Sequence, residues 1–270
     1  MTSNQRLDKA HLELRSGQIR YSLVGEGTPL CLVSTVAGTW HGQLRTLSKQ
    51  YQVLTYDMRG FGGSASPGRA LPGNDAHADD LAEIIAAAGL SRPPIVVGLS
   101  HGGLVAQRFA LRHPDQLSGL ILVATFARLS GSALLFIKML YEFLEEDNVE
   151  LFWRVLKRFL CSERNWSRVM GREDMLRAAI FNRYDAVGLR AIYRSALEHD
   201  LAEPLGGVRC PTLVIGGRED MLFPAWLTQA LSERIPGAEL ALLPTAHIPP
   251  LEEPEQFNQL VTSFASQRVS

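Results

Sequence analysis

The sequence predicts an α/β fold in which a mostly parallel sheet carries helices on both faces. Short apolar strand patterns alternate with helical patterns up to about residue 126, the alternation then stops, and it resumes after about residue 203. Strands that alternate with helices pair in parallel, because each helix returns the chain to the same end of the sheet. With 270 residues the chain is long enough to bury one large core.

The elements are predicted in a regular order. An opening hairpin turns at Ser16-Gly17-Gln18. Strands are predicted at 11–14, 19–24, 30–34, 52–57, 95–97, 119–124, 212–216 and 239–243. Helices are predicted at 39–49, from an Asn74 or Asp75 cap to Gly89, from Gly103, after Pro224 and after Pro254. A glycine is the usual residue just beyond a helix end, which is the role expected of Gly89.

Residues 127–203 contain no convincing strand pattern. Their apolar residues recur at helical spacing, as at Phe136 and Leu140 and again at Phe152 and Leu156. We therefore predict a core of residues 1–126 and 204–270 and a helical cap of residues 127–203. A helical segment inserted between two strands is expected to lie as a lid over the carboxyl edge of the sheet.

Composition limits the possible partners. A formal net charge of -1 argues against nucleic acid or an anionic membrane as the principal partner. No apolar run is long enough to span a bilayer, and the first residues lack the apolar core of a secretory signal. Cys31, Cys161 and Cys210 are odd in number and lack metal-binding spacing, which argues against disulfides and a zinc site. We expect a cytoplasmic protein without a bound metal. The sequence leaves open whether the chain forms a homo-oligomer.

The segment Gly98-Leu99-Ser100-His101-Gly102 lies between an apolar strand pattern at 94–97 and a helical pattern. A serine at a sharp turn from strand to helix is exposed at the sheet edge, where it can act as a nucleophile. The turn is strained and crowded, so its flanking positions require small residues. Gly98 and Gly102 meet that requirement, and Ser100 is the candidate nucleophile.

A serine hydroxyl needs a base to accept its proton and an acid to orient that base. Among seven histidines, His247 is the best candidate, because it follows the strand at 239–243 and lies at the carboxyl edge. Asp220 follows the strand at 212–216 in the same way, with Glu219 as its local alternative. Asp174 occupies the same place in an identical hexamer, Gly-Arg-Glu-Asp-Met-Leu, but within the helical segment. Surface or packing roles are expected for His11, His41, His77, His113 and His199.

Together with this turn, three further motifs make the chain similar to capped serine hydrolases of the α/β-hydrolase superfamily, over nearly its whole length. Residues 57–64, Asp-Met-Arg-Gly-Phe-Gly-Gly-Ser, resemble the family loop D-x-R-G-x-G-x-S, and residues 217–220 resemble its G-x-x-D turn. Residues 246–254 resemble its histidine loop, G-H-x-x-x-x-E-x-P. The resemblance implies an α/β-hydrolase fold and a Ser100, His247, Asp220 triad that works through an acyl-enzyme without metal or organic cofactor.

The resemblance also implies an oxyanion hole formed by the backbone N–H groups of Val36 and His101. Many family members carry His-Gly where this chain has Ser34-Thr35, so the shape of the hole departs from the family pattern. The two hydroxyls either donate a hydrogen bond to substrate or have a structural role. Candidate residues for binding an apolar acyl group are Trp40, Phe136 and Trp153.

The favoured function is a serine hydrolase that cleaves a carboxylic ester, lactone or thioester with an apolar acyl part. Its partner would be a small-molecule acyl substrate. An acyltransferase or a hydrolase of carbon–carbon bonds would use the same triad. A catalytically inactive binding protein on this fold is the alternative from a different functional class.

Overall fold

A computed structural model describes residues 10–64, 72–171, 173, 177 and 186–268. The strands are β1 Ala10–Leu14, β2 Gly17–Val24, β3 Thr28–Val33, β4 Tyr51–Tyr56, β5 Ile95–Leu99, β6 Gly119–Val123, β7 Thr212–Gly217 and β8 Glu239–Leu243. They form one eight-stranded sheet in the order β1-β2-β4-β3-β5-β6-β7-β8. Strand β2 pairs antiparallel with β1 and β4, and every other pair is parallel. The predicted fold class is confirmed.

The helices lie between the strands and after the last one. They are α1 His41–Leu47, α2 Asn74–Ala87, α3 His101–Arg112, α4 Gly131–Glu145, α5 Val149–Leu160, α6 Trp166–Met170, α7 Ala186–Leu197, α8 Ala225–Arg234, α9 Pro249–Glu252 and α10 Pro254–Arg268. Short 3-10 helices span Ala37–Trp40, Pro114–Gln116, Glu163–Asn165 and Pro204–Gly207.

Both faces of the sheet are covered, because successive side chains of a strand point to opposite faces. In β3, Leu30 and Leu32 pack in a cluster with residues of α1 and α10. Cys31 and Val33 pack in a second cluster with residues of α2, α3 and α8. Strands β3 to β7 are buried on both faces, which explains why they appear in the sequence as largely apolar runs, whereas β1, β2 and β8 near the edges include exposed residues.

The predicted strands agree with the observed ones to within two residues at each end. Gly89 has a φ of +66°, as its role after a helix requires. The predicted cap of α2 was wrong: Gly73 is the N-cap, and the Asn74 side chain instead donates to the Ser195 carbonyl at 3.4 Å. Helix α3 begins at His101 rather than Gly103, because the chain passes from the turn directly into the helix.

Helices are the main regular elements among the described residues between β6 and β7. Helices α4 to α7, called the lid here, share one apolar cluster, the lid cluster, with core residues such as Leu104, Phe126, Phe223 and Ile248. The two ends of the segment meet, since Arg128 and Asp200 form an antiparallel bridge. The division into core and cap at residues 127 and 203 stays a prediction.

Within the described ranges, no helix has the length and apolar character needed to cross a membrane. Cys31 and Cys161 are buried, Cys210 is partly buried, and all three are free thiols. Burial raises the pKa of the Cys31 thiol well above its ordinary range, as expected for a packing residue. The cytoplasmic location stays a prediction.

Candidate active site

Ser100 occupies the sharp turn between β5 and α3. Its backbone has φ 54° and ψ -119°, a left-handed conformation that costs a residue with a side chain about 1–3 kcal/mol. Two hydrogen bonds hold the turn: the Ser100 N–H donates to the Val123 carbonyl at 2.9 Å, and the Gly103 N–H donates to the Ser100 carbonyl at 2.8 Å. The turn therefore presents the hydroxyl at the carboxyl edge of the sheet.

The glycines on either side of Ser100 are required by close backbone approach. A Cβ on Gly98 would lie 2.6 Å from the Gly102 carbonyl oxygen. A Cβ on Gly102 would overlap the Val33 carbonyl at the end of β3. The prediction that both positions require small residues is confirmed by these contacts.

Ser100, His247 and Asp220 form a continuous hydrogen-bonded chain. His247 Nε2 lies 3.0 Å from Ser100 Oγ, and His247 Nδ1 lies 2.9 Å from Asp220 Oδ2. An ionised carboxylate can only accept, so Nδ1 carries the proton and donates it to Asp220. Nε2 is then left as an acceptor for the serine hydroxyl, which is the arrangement that a general base requires.

Asp220 is held in the loop after β7. Its second oxygen, Oδ1, accepts from the N–H groups of Leu222 at 2.9 Å and Phe223 at 2.8 Å. Asp220 is buried, whereas Glu219, the alternative acid, is exposed. The other alternative, Asp174, lies outside the described residues. The geometry therefore supports Asp220 as the acid.

The loop that carries His247 is fixed by contacts that the sequence analysis missed. The Phe223 ring packs against the imidazole at an interplanar angle of 81°, with ring centroids 5.0 Å apart. The Ala246 N–H donates to Glu252 Oε1 at 2.9 Å. The only signal for Glu252 was its place in the histidine-loop motif, and Phe223 had none.

The two candidate oxyanion donors lie at the ends of neighbouring strands. Val36 follows β3, and His101 is the first residue of α3. Among the residues that the structure describes, neither backbone N–H has a hydrogen-bond acceptor. The next residue, Ala37, donates its N–H to Asp57 Oδ1 at 2.8 Å, which fixes the peptide on the far side of Val36. An oxyanion hole at these two groups stays a proposal.

The remaining candidates differ in their surroundings. The Ser34 hydroxyl donates to the Val36 carbonyl at 2.8 Å, which favours its structural role over donation to substrate. The Thr35 side chain is partly buried. Trp40 is fully buried and stacks on Phe257 of α10, in the cluster on the sheet face that α1 and α10 cover. Core packing therefore explains a tryptophan at this position.

Phe136 and Trp153 belong to the lid helices. The Phe136 ring lies 4.4 Å from that of Phe159. Trp153 is buried in the lid cluster, and its indole N–H donates to Glu173 Oε1 at 3.1 Å. Both side chains are in the apolar cluster that includes Phe223, the residue packed against the imidazole.

A second serine–histidine pair lies nearby, between His101 on α3 and Ser195 on α7. His101 Nε2 is 3.0 Å from Ser195 Oγ, but the Ser195 hydroxyl already donates to the Ile192 carbonyl at 2.9 Å. His101 therefore donates to Ser195 instead of accepting its proton. Its other nitrogen has no partner among the described residues, so no acid orients this ring. The pair joins lid and core without the arrangement of a triad.

The chain is similar to known proteins over most of its length. A family model described as alpha/beta hydrolase fold matches residues 27–254. A putative carbamate hydrolase RutD from Rhizobium rhizogenes is 31% identical over 236 residues, 85% of this chain and 88% of that protein.

Two further similarities extend over still more of the chain. A pimeloyl-(acyl-carrier protein) methyl ester esterase from Yersinia enterocolitica is 29% identical over 267 residues, 93% of this chain and 98% of that protein. The structure of a thermophilic esterase from Thermogutta terrifontis superposes with a TM-score of 0.86 at 26% identity, covering 97% of this chain and 100% of that one.

Proposed function

The chain belongs to the alpha/beta hydrolase fold family and is a hydrolase of that fold, and on this premise we propose that it is a serine hydrolase acting on acyl compounds. Its substrate would be a carboxylic ester, lactone or thioester with an apolar acyl part. The observation that carries the proposal is the hydrogen-bonded chain from Ser100 through His247 to Asp220.

The proposed reaction follows from the direction of these hydrogen bonds. Ser100 Oγ attacks the acyl carbonyl while His247 Nε2 accepts the hydroxyl proton, and Asp220 stabilises the imidazolium that forms. The proton is then transferred to the leaving group, which departs and leaves the acyl group on Ser100. A water attacks this ester while His247 Nε2 accepts its proton, and the imidazolium returns that proton to Ser100 Oγ as the free acid is released.

Two features of the site support an acyl substrate. A tetrahedral intermediate places negative charge on the former carbonyl oxygen, and the N–H groups of Val36 and His101 would stabilise it. The lid cluster includes the core residues Leu104, Phe126 and Phe223, and Phe223 packs against the imidazole. An apolar acyl chain would lose less in free energy on entering such surroundings than a charged one.

Carbamate cleavage is a second candidate, favoured by the 31% identity to a protein named as a putative carbamate hydrolase. A carbamate offers the same carbonyl carbon to Ser100, with nitrogen on one side and oxygen on the other. A panel of p-nitrophenyl esters of increasing chain length, with lactones, thioesters and carbamates of matched size, would rank these substrate classes by kcat/KM.

A fluorophosphonate probe tests the proposed nucleophile, because it reacts covalently with a serine that a neighbouring base activates. Peptide mass mapping should find the adduct on Ser100 and none in Ser100→Ala. Ser195→Ala is the matched control, since Ser195 also lies beside a histidine, and it should be labelled like the wild type. Labelling at Ser195, or none at all in an enzyme that turns over esters, would contradict the proposal.

Hydrolysis and acyl transfer share the acyl-enzyme and differ only in the second nucleophile. We expect water to be the acceptor. An acyl thioester incubated with and without a hydroxy-acid acceptor at millimolar concentration should yield mainly free acid. Condensed product in excess over free acid would replace the hydrolase by an acyltransferase.

A further inference from the structure

Glu252 lies at the end of α9, five residues after His247, and is 1% exposed. Its Oε1 accepts from the Ala246 N–H at 2.9 Å. Its Oε2 accepts from the Ser162 N–H at 2.8 Å, from the Ser162 hydroxyl at 2.6 Å and from Asn165 Nδ2 at 3.4 Å. Each of these partners is a donor, as suits a carboxylate that can only accept.

The first of these hydrogen bonds acts on the backbone next to the imidazole. Ala246 directly precedes His247, and the hydrogen bond from its N–H to Glu252 fixes the Thr245–Ala246 peptide, one peptide before the histidine. The carbonyl of the same peptide is tied to the acid turn, since the Glu219 N–H donates to the Thr245 oxygen at 2.9 Å. The histidine loop is thus held between the acid turn and Glu252.

The second oxygen binds the lid. Ser162 follows the end of α5, and Asn165 lies in the 3-10 helix before α6. Arg168 of α6 adds to the same contact by donating to the carbonyls of Leu251 at 3.0 Å and Glu252 at 2.5 Å. A buried carboxylate is costly unless donors surround it, so Glu252 cannot release one side without a large penalty.

We propose that Glu252 is a positioning residue that couples the lid to the general base. One carboxylate holds Ser162, just after α5, and the Thr245–Ala246 peptide, so the direction of the imidazole depends on how the lid packs on the core. The inference rests on the proposed function, because it requires His247 to be the base. Misplacing a reacting group by about 1 Å can lower a rate by about 100-fold, which sets the scale of the effect.

Glu252→Gln tests this role against Glu253→Gln. Glu253 is a matched control, because its Oε1 accepts from Arg164 at 2.6 Å, whereas the Ala246 N–H is bonded to Glu252. The glutamine amide has the size of the carboxylate, but its NH₂ group replaces one accepting oxygen. That NH₂ group would face the N–H and O–H groups that now donate to Glu252. We expect Glu252→Gln to lower kcat by about 10- to 100-fold with KM changed less than about threefold. Glu253→Gln should stay within about twofold of the wild type in both constants.

Labelling by the fluorophosphonate probe separates positioning from simple loss of stability. The amount of labelled protein at the end of the reaction counts folded enzyme, whereas the rate constant of labelling reports how well His247 activates Ser100. Misplacement of the imidazole should lower this rate constant by about tenfold or more and leave the final labelled fraction unchanged, whereas a residue that only stabilised the fold would lower the labelled fraction and leave the rate constant in place. An unchanged rate constant together with an unchanged kcat would overturn the inference.

Two further variants cover the remaining outcomes. If Glu252→Gln does not fold, Ser162→Ala carries the test, since it removes the donor at 2.6 Å and leaves the carboxylate in place. We then expect a fall in kcat of about three- to tenfold, against no change in the exposed control Ser167→Ala; equal kcat in both overturns the inference.

Ser100→Ala is measured alongside these variants. Activity retained in Ser100→Ala would reject the proposed function itself, whichever result the Glu252 variant gives.

Discussion

Three buried carboxylates give the site its rigidity by accepting backbone N–H groups. Asp220 accepts those of Leu222 and Phe223 with the oxygen that does not face the imidazole. Asp57 accepts from Ala37 beside the candidate oxyanion donor, and Glu252 accepts from Ala246 beside the base. Hydrogen bonds to a charged group are stronger than those between neutral groups. Each carboxylate therefore fixes a loop whose backbone lacks the regular hydrogen bonds of a helix or sheet.

Asp220→Asn should lower kcat by roughly 10³- to 10⁴-fold, because the neutral amide neither selects the correct imidazole tautomer nor stabilises the imidazolium. Glu219→Gln, at the exposed neighbouring position, should change kcat by less than about threefold. The same small effect is expected of Asp174→Asn, at the equivalent position of the repeated hexamer. Steady-state kinetics on one ester decide the matter, and equal losses at positions 220 and 219 would reject Asp220 as the acid.

At the scale of elements, the turn between β5 and α3 depends on the close approach of three backbone segments. Gly102→Ala would place a methyl group against the Val33 carbonyl, and neither backbone can move without disrupting the sheet. We expect unfolding free energy to fall by about 2 kcal/mol or more. Gly206→Ala is the control, because nothing lies within 4 Å of the added carbon. Urea denaturation of both variants provides the comparison, and similar midpoints would show that the turn tolerates a side chain.

The sequence predicted the central strands β3 to β7 well because each is a largely apolar run buried on both faces and bounded by turn residues. It also predicted which three residues meet at the carboxyl edge, since β5, β7 and β8 deliver them there. It could not predict the contact between Ser162 and Glu252, because residues 90 apart in the chain meet only after the lid has packed. The position of Trp40 beneath α10 was missed for the same reason: its pattern does not say which face of the sheet it covers.

At the scale of the molecule, a buried polar network joins the lid to the core. His199, beyond α7, pairs with Gln107 of α3 at 3.3 Å and Asn74 of α2 at 3.4 Å. His101 binds Ser195, and the His77 ring packs edge-on against that of His101 at 6.3 Å. Desolvation lowers the pKa of His77 to about 3, of His101 to about 4 and of His199 to about 3. All three are therefore neutral in the folded protein at neutral pH.

This network predicts loss of stability in acid. In the unfolded chain these histidines bind protons below about pH 6.5, whereas the folded protein resists protonation until about pH 4. Their contribution is complete above pH 6.5 and is lost as the pH falls below it. In thermal melts, the Tm of the wild type should decrease from pH 7 to pH 5. The Tm of His199→Gln should decrease less over this interval, and the Tm of the exposed variant His41→Gln should decrease as much as that of the wild type. Parallel curves for all three proteins would contradict the role of the network.

We propose that the chemistry begins at Ser100, and the kcat/KM of Ser100→Ala decides whether it does. The substitution removes only the hydroxyl, so we expect Tm to stay within a few degrees of the wild type. Loss of the nucleophile should lower kcat/KM by about 10⁴-fold or more on any ester that the wild type cleaves. A purified, folded Ser100→Ala protein that retains more than about a tenth of the wild-type activity would show that another residue attacks the substrate.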